Sequence, residues 1–192
     1  MVEALAYNIS PSHPLVRLLS GLTQRNFATH LGWTDSDVIA YLGDVLVDFV
    51  HVDRLYRIRN ARGQRIEEVA EMMAEGDILH RADSFERERM VHKHIGDYTL
   101  FMAGIFPEFV RRQQKAGLIV SADAFLDYVR VGKRSYRIVS EFASTGAEPA
   151  APLFRKLSEN FELCVYGLGY VRADLDRLQD PQFQTVKGRL IG

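Results

Sequence analysis

Apolar residues recur at intervals of three and four between short clusters of glycine and proline, and this helical period constrains the fold more than any other feature. The clearest run follows polar residues of helix-capping types at positions 34–37 and consists of Val38, Leu42, Val45, Phe49, Val52 and Tyr56. No segment of the sequence shows the strict alternation typical of a strand. We therefore predict an all-α fold, a single-domain helical bundle or helical array of about six helices over residues 1–192, with residues 1–11 as a loosely ordered tail.

Glycine, proline and capping residues mark the approximate bounds of the six helices, which are 14–31, 34–56, 66–75, 84–107, 122–142 and 152–178. Ser84 and Ser121 are predicted N-caps. Pro107 is expected to end the fourth helix, because proline removes a backbone donor, and residues 108–115 continue as a short helical piece. Gly21 is a candidate break in the first helix.

The composition is that of an ordinary soluble domain, with 192 residues, 47% hydrophobic, 26% charged and a formal net charge of -1. Disordered, collagen-like and disulfide-stapled classes are therefore excluded. The acidic and basic totals nearly balance, so neither nucleic acid nor an anionic membrane is expected as a partner. No run approaches the roughly 20 apolar residues of a membrane helix, and residues 1–16 lack the features of a secretory signal. We expect a cytoplasmic protein whose lone cysteine, Cys164, is a buried and inert thiol.

The predicted second helix carries a polar strip. Asp44, Asp48 and His51 fall within about 60 degrees of one another, on a face distinct from the apolar stripe. A carboxylate and an imidazole at Asp-x-x-His spacing can ligate one metal or share a proton, as Glu-x-x-His does in di-iron bundles. The motif occurs once, and the second motif and additional glutamates of such bundles are missing from the sequence. A structural ion pair or solvated strip is therefore favoured, and no metal is assigned.

A second candidate is Asp97, which lies in the apolar run 95–106 of the fourth helix. Burying an ionised carboxylate is costly unless it is paired, so we expect a partner. The candidates are Lys93 at i−4, His94 at i−3 and a basic residue of another helix such as His51. If Asp97 were unpaired, burial would raise its pKa and suit it to general acid–base catalysis. The paired, register-fixing role is favoured.

Small residues and tyrosines mark helices that pack closely or enclose a ligand. Gly96 and Gly104 in the fourth helix and Gly167 and Gly169 in the sixth allow close helix approach, or leave a gap for a flat cofactor or apolar ligand. Close packing is favoured. The last two helices concentrate aromatic hydroxyls that either line a pocket or satisfy a core, namely Tyr128, Tyr136, Tyr166 and Tyr170.

A basic run without a single acid spans residues 54–65 and contains Arg54, Arg57, Arg59, Arg62 and Arg65. Its centre, residues 60–63, is typical of a turn that can present guanidinium groups to phosphate or carboxylate. A solvated loop neutralised by acids is favoured, and the acids that follow are Glu67, Glu68 and Glu71. Nucleic-acid binding would require a broader basic face with stacking aromatic residues.

Three stretches resemble a group of bacterial all-helical proteins for which no activity is established. They are YLGDVLVDFVHVDRLYRIR at 41–59, VHKHIGDYTLFMAGIFPE at 91–108 and YVRVGKRSYRIVSEF at 128–142. The block from residue 95 to residue 108 is the most specific part. The resemblance implies a helical fold in a bacterial protein, and it implies no substrate and no cofactor.

The sequence lacks serine nucleophile elbows, Walker-type glycine loops and Cys-x-x-Cys pairs, which argues against the commonest enzyme classes. We predict a non-enzymatic regulatory or protein-interaction module that binds a protein partner or forms a homodimer. The alternative is a helical bundle with a core site for a small ligand or metal, to which no cofactor is assigned. The side chains that would converge on that site are Asp48, His51, His94, Asp97 and Tyr136.

Overall fold

A computed structural model describes residues 12–60, 62–76, 84–115, 124–142 and 151–191 of the chain. Within these ranges it contains ten helices: α1 (Pro14–Leu31), α2 (Ser36–Phe49), α3 (Val52–Leu55), α4 (Val69–Gly76), α5 (Phe85–Ile105), α6 (Pro107–Lys115), α7 (Ala124–Val139), α8 (Ala151–Glu159), α9 (Phe161–Leu178) and α10 (Pro181–Ile191). The one strand-like pairing in these ranges is an isolated antiparallel bridge between Arg59 and Arg65. The all-α prediction is confirmed, and the prediction of about six helices is too low.

Two of the additional helix boundaries lie at breaks that neither glycine nor proline marks. The second predicted helix ends at Phe49, and a four-residue helix follows His51. The sixth predicted helix is divided at Asn160 into α8 and α9. The second of these, α9, is continuous through Gly167 and Gly169. The helix α10 lies beyond the last predicted segment, although it has local start signals: Pro181 opens it, and Oδ1 of Asp180 accepts from the amide of Phe183 at 2.9 Å. The break after Phe49 carries no such signal.

Other helix ends follow their local signals. The hydroxyl of Ser84 caps α5 by accepting a hydrogen bond from the amide of Arg87 at 3.2 Å. Gly32 ends α1 with a φ of 61°, in the left-handed region that glycine adopts without strain. Pro107 separates α5 from α6, as predicted. Gly21 does not divide α1, which is continuous.

The central element is α5, which packs against α2, α4, α6, α7 and α9. Between residues 91 and 105, every side chain except that of Lys93 is buried. A helix buried on all sides has no solvent face on which to place its polar residues. Its polar side chains therefore need partners inside the core.

Glycines allow α5 to approach its neighbours closely. A Cβ at Gly96 would lie 2.5 Å from the ring of Tyr136, and a Cβ at Gly104 would lie 2.7 Å from Cβ of Leu168. A Cβ at Gly167 of α9 would also overlap an aromatic ring. Close packing is therefore confirmed at these three positions, and they leave no gap for a flat cofactor between the helices.

The buried apolar side chains of the described residues form one continuous cluster. Cys164 belongs to it, as expected, and burial raises the pKa of its thiol. Over the part of the chain that the structure describes, no helix combines the length and apolar character needed to cross a membrane. The predicted tail at residues 1–11 and the predicted cap at Ser121 lie outside the described residues.

Candidate functional site

The carboxylate of Asp97 lies in the core and accepts three hydrogen bonds from side chains. Its Oδ1 accepts from Tyr41 Oη at 2.6 Å and from Tyr136 Oη at 2.8 Å. Its Oδ2 accepts from Lys93 Nζ at 2.8 Å, which is also an ion pair. Asp97 is only 6% exposed. The prediction of a buried, paired carboxylate is confirmed, and of the three candidate partners it is Lys93 that forms the ion pair. We call these four residues the Asp97 cluster.

The Asp97 cluster joins three helices. Tyr41 comes from α2, Lys93 and Asp97 come from α5, and Tyr136 comes from α7. The ring of Tyr136 reaches the carboxylate because Gly96, beside Asp97, presents no side chain to it. The Nζ of Lys93 lies 5.2 Å from the centroid of the Tyr41 ring, so its charge also meets an aromatic face. The cluster therefore ties α2 and α7 to the central helix.

The electrostatics of the cluster keep both phenols neutral. Burial, and then the negative charge of Asp97, raise the pKa of Tyr41 and of Tyr136 well above the usual value. Both hydroxyls therefore remain donors to the carboxylate at neutral pH. A general acid or base must reach a proton on a substrate, whereas both oxygens of Asp97 are already occupied by internal donors. The arrangement suits helix registration better than proton transfer.

His94 lies one turn before Asp97 and meets a different neighbour. Its Nε2 is 3.1 Å from the carbonyl oxygen of Leu55, which can only accept, so this nitrogen carries the hydrogen. The ring packs edge-on against Phe49, with 5.8 Å between centroids. Burial lowers the pKa of His94 to about 4, and the nearby charge of Asp97 opposes this shift. His94 is therefore neutral at pH 7 and holds α5 against the end of α3.

The prediction that His51 belongs to the polar strip of the second helix is wrong. Because α2 ends at Phe49 and His51 has extended backbone angles of −90° and 99°, Asp48 and His51 do not share a helical face. The carboxylate of Asp48 forms ion pairs with Arg54 and Arg57. The ring of His51 is exposed. The prediction assumed a continuous helix, and its failure follows from the break.

Of the five residues predicted for a core site, Asp97 and Tyr136 are hydrogen-bonded to each other. Asp48 and His51 make no hydrogen bond to that pair, and His94 bonds to a backbone carbonyl. No group of three or more His, Cys, Asp or Glu side chains in the described ranges can hold a metal ion. Binding of a ligand by these five residues stays a prediction.

Sequence reasoning missed Tyr41. Its position carried a signal, because Tyr41, Asp44 and Asp48 follow one another at intervals of three and four and share a face of α2. A tyrosine on a polar strip beside two carboxylates is a natural donor to a carboxylate on a neighbouring helix. Its partner, Asp97, lies 56 residues away in sequence, so the pairing itself left no local trace.

The hydroxyl of Tyr98 is the one buried side-chain oxygen or nitrogen among the described residues that has no hydrogen-bond partner. Its ring lies 6.4 Å from the rings of Tyr56 and Tyr128, measured between centroids. Burial raises the pKa of Tyr98 well above the usual value, so the hydroxyl stays protonated. The hydroxyl of Tyr128 interacts with it without forming a well-aligned hydrogen bond, so the hydroxyl of Tyr98 is poorly satisfied, which costs free energy.

The four tyrosines of the last two predicted helices do not line one pocket. Tyr128 and Tyr136 are buried. Tyr166 is 59% exposed, and Tyr170 is half-buried beside it. Two of the hydroxyls therefore belong to the core and two to the surface.

The basic run is compensated by different acids from those expected. Arg54 and Arg57 pair with Asp48, and Arg65 pairs with Asp53 at 3.1 Å. Within the described ranges no ion pair joins the run to the acids that follow it in sequence, Glu67, Glu68 and Glu71. The ion pairs of the run are therefore made with acids that precede the turn, and neutralisation by the acids that follow it stays a prediction.

The fold and the site define an all-helical protein whose central helix carries an internally hydrogen-bonded carboxylate. Comparison of the chain with protein-family models, with curated proteins and with solved structures finds no match. The resemblance to bacterial all-helical proteins therefore stays a prediction.

Proposed function

We propose that the protein is a non-enzymatic protein-interaction module, and that α1 and α9 supply its binding surface. The observation that carries the proposal is a group of mutually contacting aromatic side chains on the outside of these helices. The group consists of His30, Tyr166 and Tyr170, which are joined through the ring of Tyr170 and which we call the α1–α9 aromatic surface. Tyrosine is enriched at protein interfaces, and it is one of the residue types that contribute most of the binding energy there.

The rings of this surface hold one another in place. The rings of His30 and Tyr170 stack with 4.1 Å between centroids and an interplanar angle of 7°. Tyr166 meets Tyr170 edge-on at 5.2 Å, and their hydroxyls are 2.9 Å apart. Side chains that are ordered before binding lose less conformational entropy when a partner docks. The geometry thus supports a preformed contact surface.

The interior supports the same function less directly. A core enzyme site needs an acid, base or ligand donor with a free position, and the Asp97 cluster has its donors and acceptors bonded to each other. The thiol of Cys164 is buried and protonated, which removes it as a nucleophile. The proposal includes a cytoplasmic setting, in which such a thiol stays reduced.

Site-specific photocrosslinking tests the proposal. A photoreactive phenylalanine analogue replaces Tyr166 in one variant and Leu178 in a second, both expressed in the cells that produce the protein. The two positions are a matched pair, since both lie on α9 and are 59% and 57% exposed. We expect a discrete crosslinked product from position 166 and none from position 178.

The nature of the partner follows from the mass of the product. Twice the mass of the chain indicates a homodimer, which sedimentation of the purified protein checks independently. Any other discrete mass indicates a different protein. Absence of a product at position 166, or the same products from both positions, would show that this surface is not the interface.

A further inference from the structure

We propose that a rigid arginine turn between α3 and α4 is a second recognition site, which binds a short carboxylate-rich segment of a protein. The turn is defined by the described residues Arg59, Asn60, Arg62, Gly63, Gln64 and Arg65. It is separate from the α1–α9 aromatic surface, and the two proposals stand or fall independently. Its rigidity, its anchoring and its uncompensated charge each support the inference.

The turn is held by hydrogen bonds centred on Asn60. The Oδ1 of Asn60 accepts from the backbone amides of Arg62 and Gln64, each at 3.0 Å. The carbonyl of Asn60 accepts from the amide of Gly63 at 2.9 Å, and Gly63 has a φ of 75° that favours glycine. The Nη1 of Arg59 donates to the carbonyl of Gly63 at 2.9 Å and closes the turn. The described part of the backbone that carries the arginines is therefore held by internal hydrogen bonds before any partner arrives.

Two isoleucines anchor the turn to the core. Ile58 and Ile66 flank it, are buried, and are joined by a backbone hydrogen bond of 3.0 Å from the amide of Ile66 to the carbonyl of Ile58. The residues between them are half-buried or exposed wherever the structure describes them. The turn consequently projects from the surface on a fixed base, as a preorganised recognition element does.

The charge of the turn is only partly compensated. Arg57, just before the turn, pairs with Asp48, and Arg65 pairs with Asp53. The guanidinium groups of Arg59 and Arg62 form no ion pair with a described residue, and the side chain of Arg62 makes no hydrogen bond there either. Arg62 has a complete guanidinium fork, and Arg59 keeps the donors that its bond to Gly63 leaves open. Carboxylates match such planar donors in bidentate fashion.

A short acidic peptide fits this surface better than nucleic acid. The exposed acids Asp53, Glu67, Glu68 and Glu71 border the turn in sequence, and they would repel a long polyanion crossing it. The turn also has no aromatic side chain on which a base could stack. A short carboxylate-rich segment brings fewer negative charges near these acids than a long polyanion does, so it is repelled less.

Fluorescence anisotropy with the full chain tests the inference. The probe is a labelled peptide with six consecutive glutamates, compared with the same peptide carrying glutamines and with a labelled single-stranded oligonucleotide of six phosphates. We expect the glutamate peptide to bind at least about tenfold more tightly than either control, and its affinity to fall as salt rises. Arg62→Glu should weaken it by about tenfold or more, because one charge-assisted contact becomes a repulsion.

The matched control is Arg130→Glu on α7, which makes the same change of net charge at a side chain that is 76% exposed. We expect this variant to change the affinity less than about threefold, through long-range charge alone. Equal losses from the two variants would reduce the effect to net charge and overturn the site. Equal binding of the glutamate and glutamine peptides would also overturn it. So would an oligonucleotide that binds more tightly than the glutamate peptide and loses its binding in the Arg62→Glu variant, because the turn would then be a nucleic-acid site.

Discussion

Replacement by phenylalanine should have opposite effects on stability at two buried tyrosines. Tyr136→Phe removes a hydrogen bond to the carboxylate of Asp97, so we expect a loss of about 1 to 2 kcal/mol in the free energy of unfolding. Tyr98→Phe removes a buried hydroxyl that has no hydrogen-bond partner, so we expect no loss and a gain of up to about 1 kcal/mol. Both residues are fully buried, which makes each variant the control of the other. Chemical denaturation measures both, and equal losses would contradict the assignment.

Asp97→Asn tests the structural role of the carboxylate. The amide keeps the shape but loses the charge that Lys93 and the two phenols require, so we expect a loss of about 2 to 4 kcal/mol in unfolding free energy. Asp53→Asn is the control, because that carboxylate pairs with Arg65 at a side chain that is 82% exposed, and its loss should be below about 1 kcal/mol. Similar denaturation midpoints for the two variants would show that Asp97 does not hold the helices together.

Because His94 is buried, we expect the protein to become less stable as the pH falls. Its pKa is lowered from 6.5 to about 4 in the folded protein, so below pH 6.5 the unfolded chain takes up a proton that the folded chain excludes. The free energy of unfolding should therefore decrease as the pH falls from 6.5 towards 4, by about 3 kcal/mol from this residue.

His94→Gln removes the titrating group and keeps a side chain that can donate to the carbonyl of Leu55. We expect the variant to show a smaller decrease of stability than the wild type over the same pH interval. His51→Gln, at an exposed histidine, is the matched control. Denaturation at a series of pH values measures this, and identical pH dependence in wild type and His94→Gln would refute it.

At the scale of the helices, two glycines of α9 allow the effect of close packing on stability to be distinguished from the effect of helix propensity. A Cβ at Gly167 would overlap the ring of Phe27, so we expect Gly167→Ala to destabilise the protein by about 1 to 3 kcal/mol. A Cβ at Gly169 meets nothing within 4 Å, so Gly169→Ala should stabilise it by up to about 1 kcal/mol through helix propensity. Thermal unfolding followed by circular dichroism measures both. Equal shifts of Tm would show that α9 and α1 are less closely packed than the structure has them.

Helix ends divide into those set locally and those set by packing. Ser84, Gly32 and Pro107 act through their own backbone or side-chain chemistry, and each ends or begins a helix where the sequence predicts it. The break after Phe49 has no such signal, whereas at the break between α8 and α9 the side chain of Asn160 donates to the carbonyl of Lys156 at 2.9 Å. Leu55, which follows the first of these breaks, is buried, and its carbonyl accepts from His94 of α5. A contact with another helix, absent from local sequence, accompanies that break.

At the scale of the whole molecule, the continuous apolar cluster predicts one cooperative unfolding transition. Each of the ten helices in the described ranges contributes at least one buried side chain to that cluster. The sole tryptophan, Trp33, packs against Phe27 at one end of α1, with 5.8 Å between ring centroids. Its fluorescence reports that end, whereas far-ultraviolet circular dichroism reports all helices.

We expect the two signals to give the same midpoint in urea, because a single domain of this size unfolds as one unit. Wild-type protein at two concentrations is the control for association, since unfolding coupled to dissociation shifts its midpoint with concentration. Two separated transitions would contradict the single-domain prediction for residues 1–192.

The helical class, the ends marked by capping residues and the Lys93–Asp97 pair were all predictable, because each depends on residues within about one or two helical turns of one another. The local pattern also indicated that Asp97 needs a partner inside the core, since an ionised carboxylate among apolar residues is costly. The tertiary structure alone decided that Tyr41 and Tyr136 complete the cluster, that His94 turns to a backbone carbonyl, and that the carboxylate of Asp48 pairs with arginines. The physical reason is distance along the chain: Tyr41 and Asp97 are 56 residues apart, and which side chains meet across helices is set by packing of the whole core.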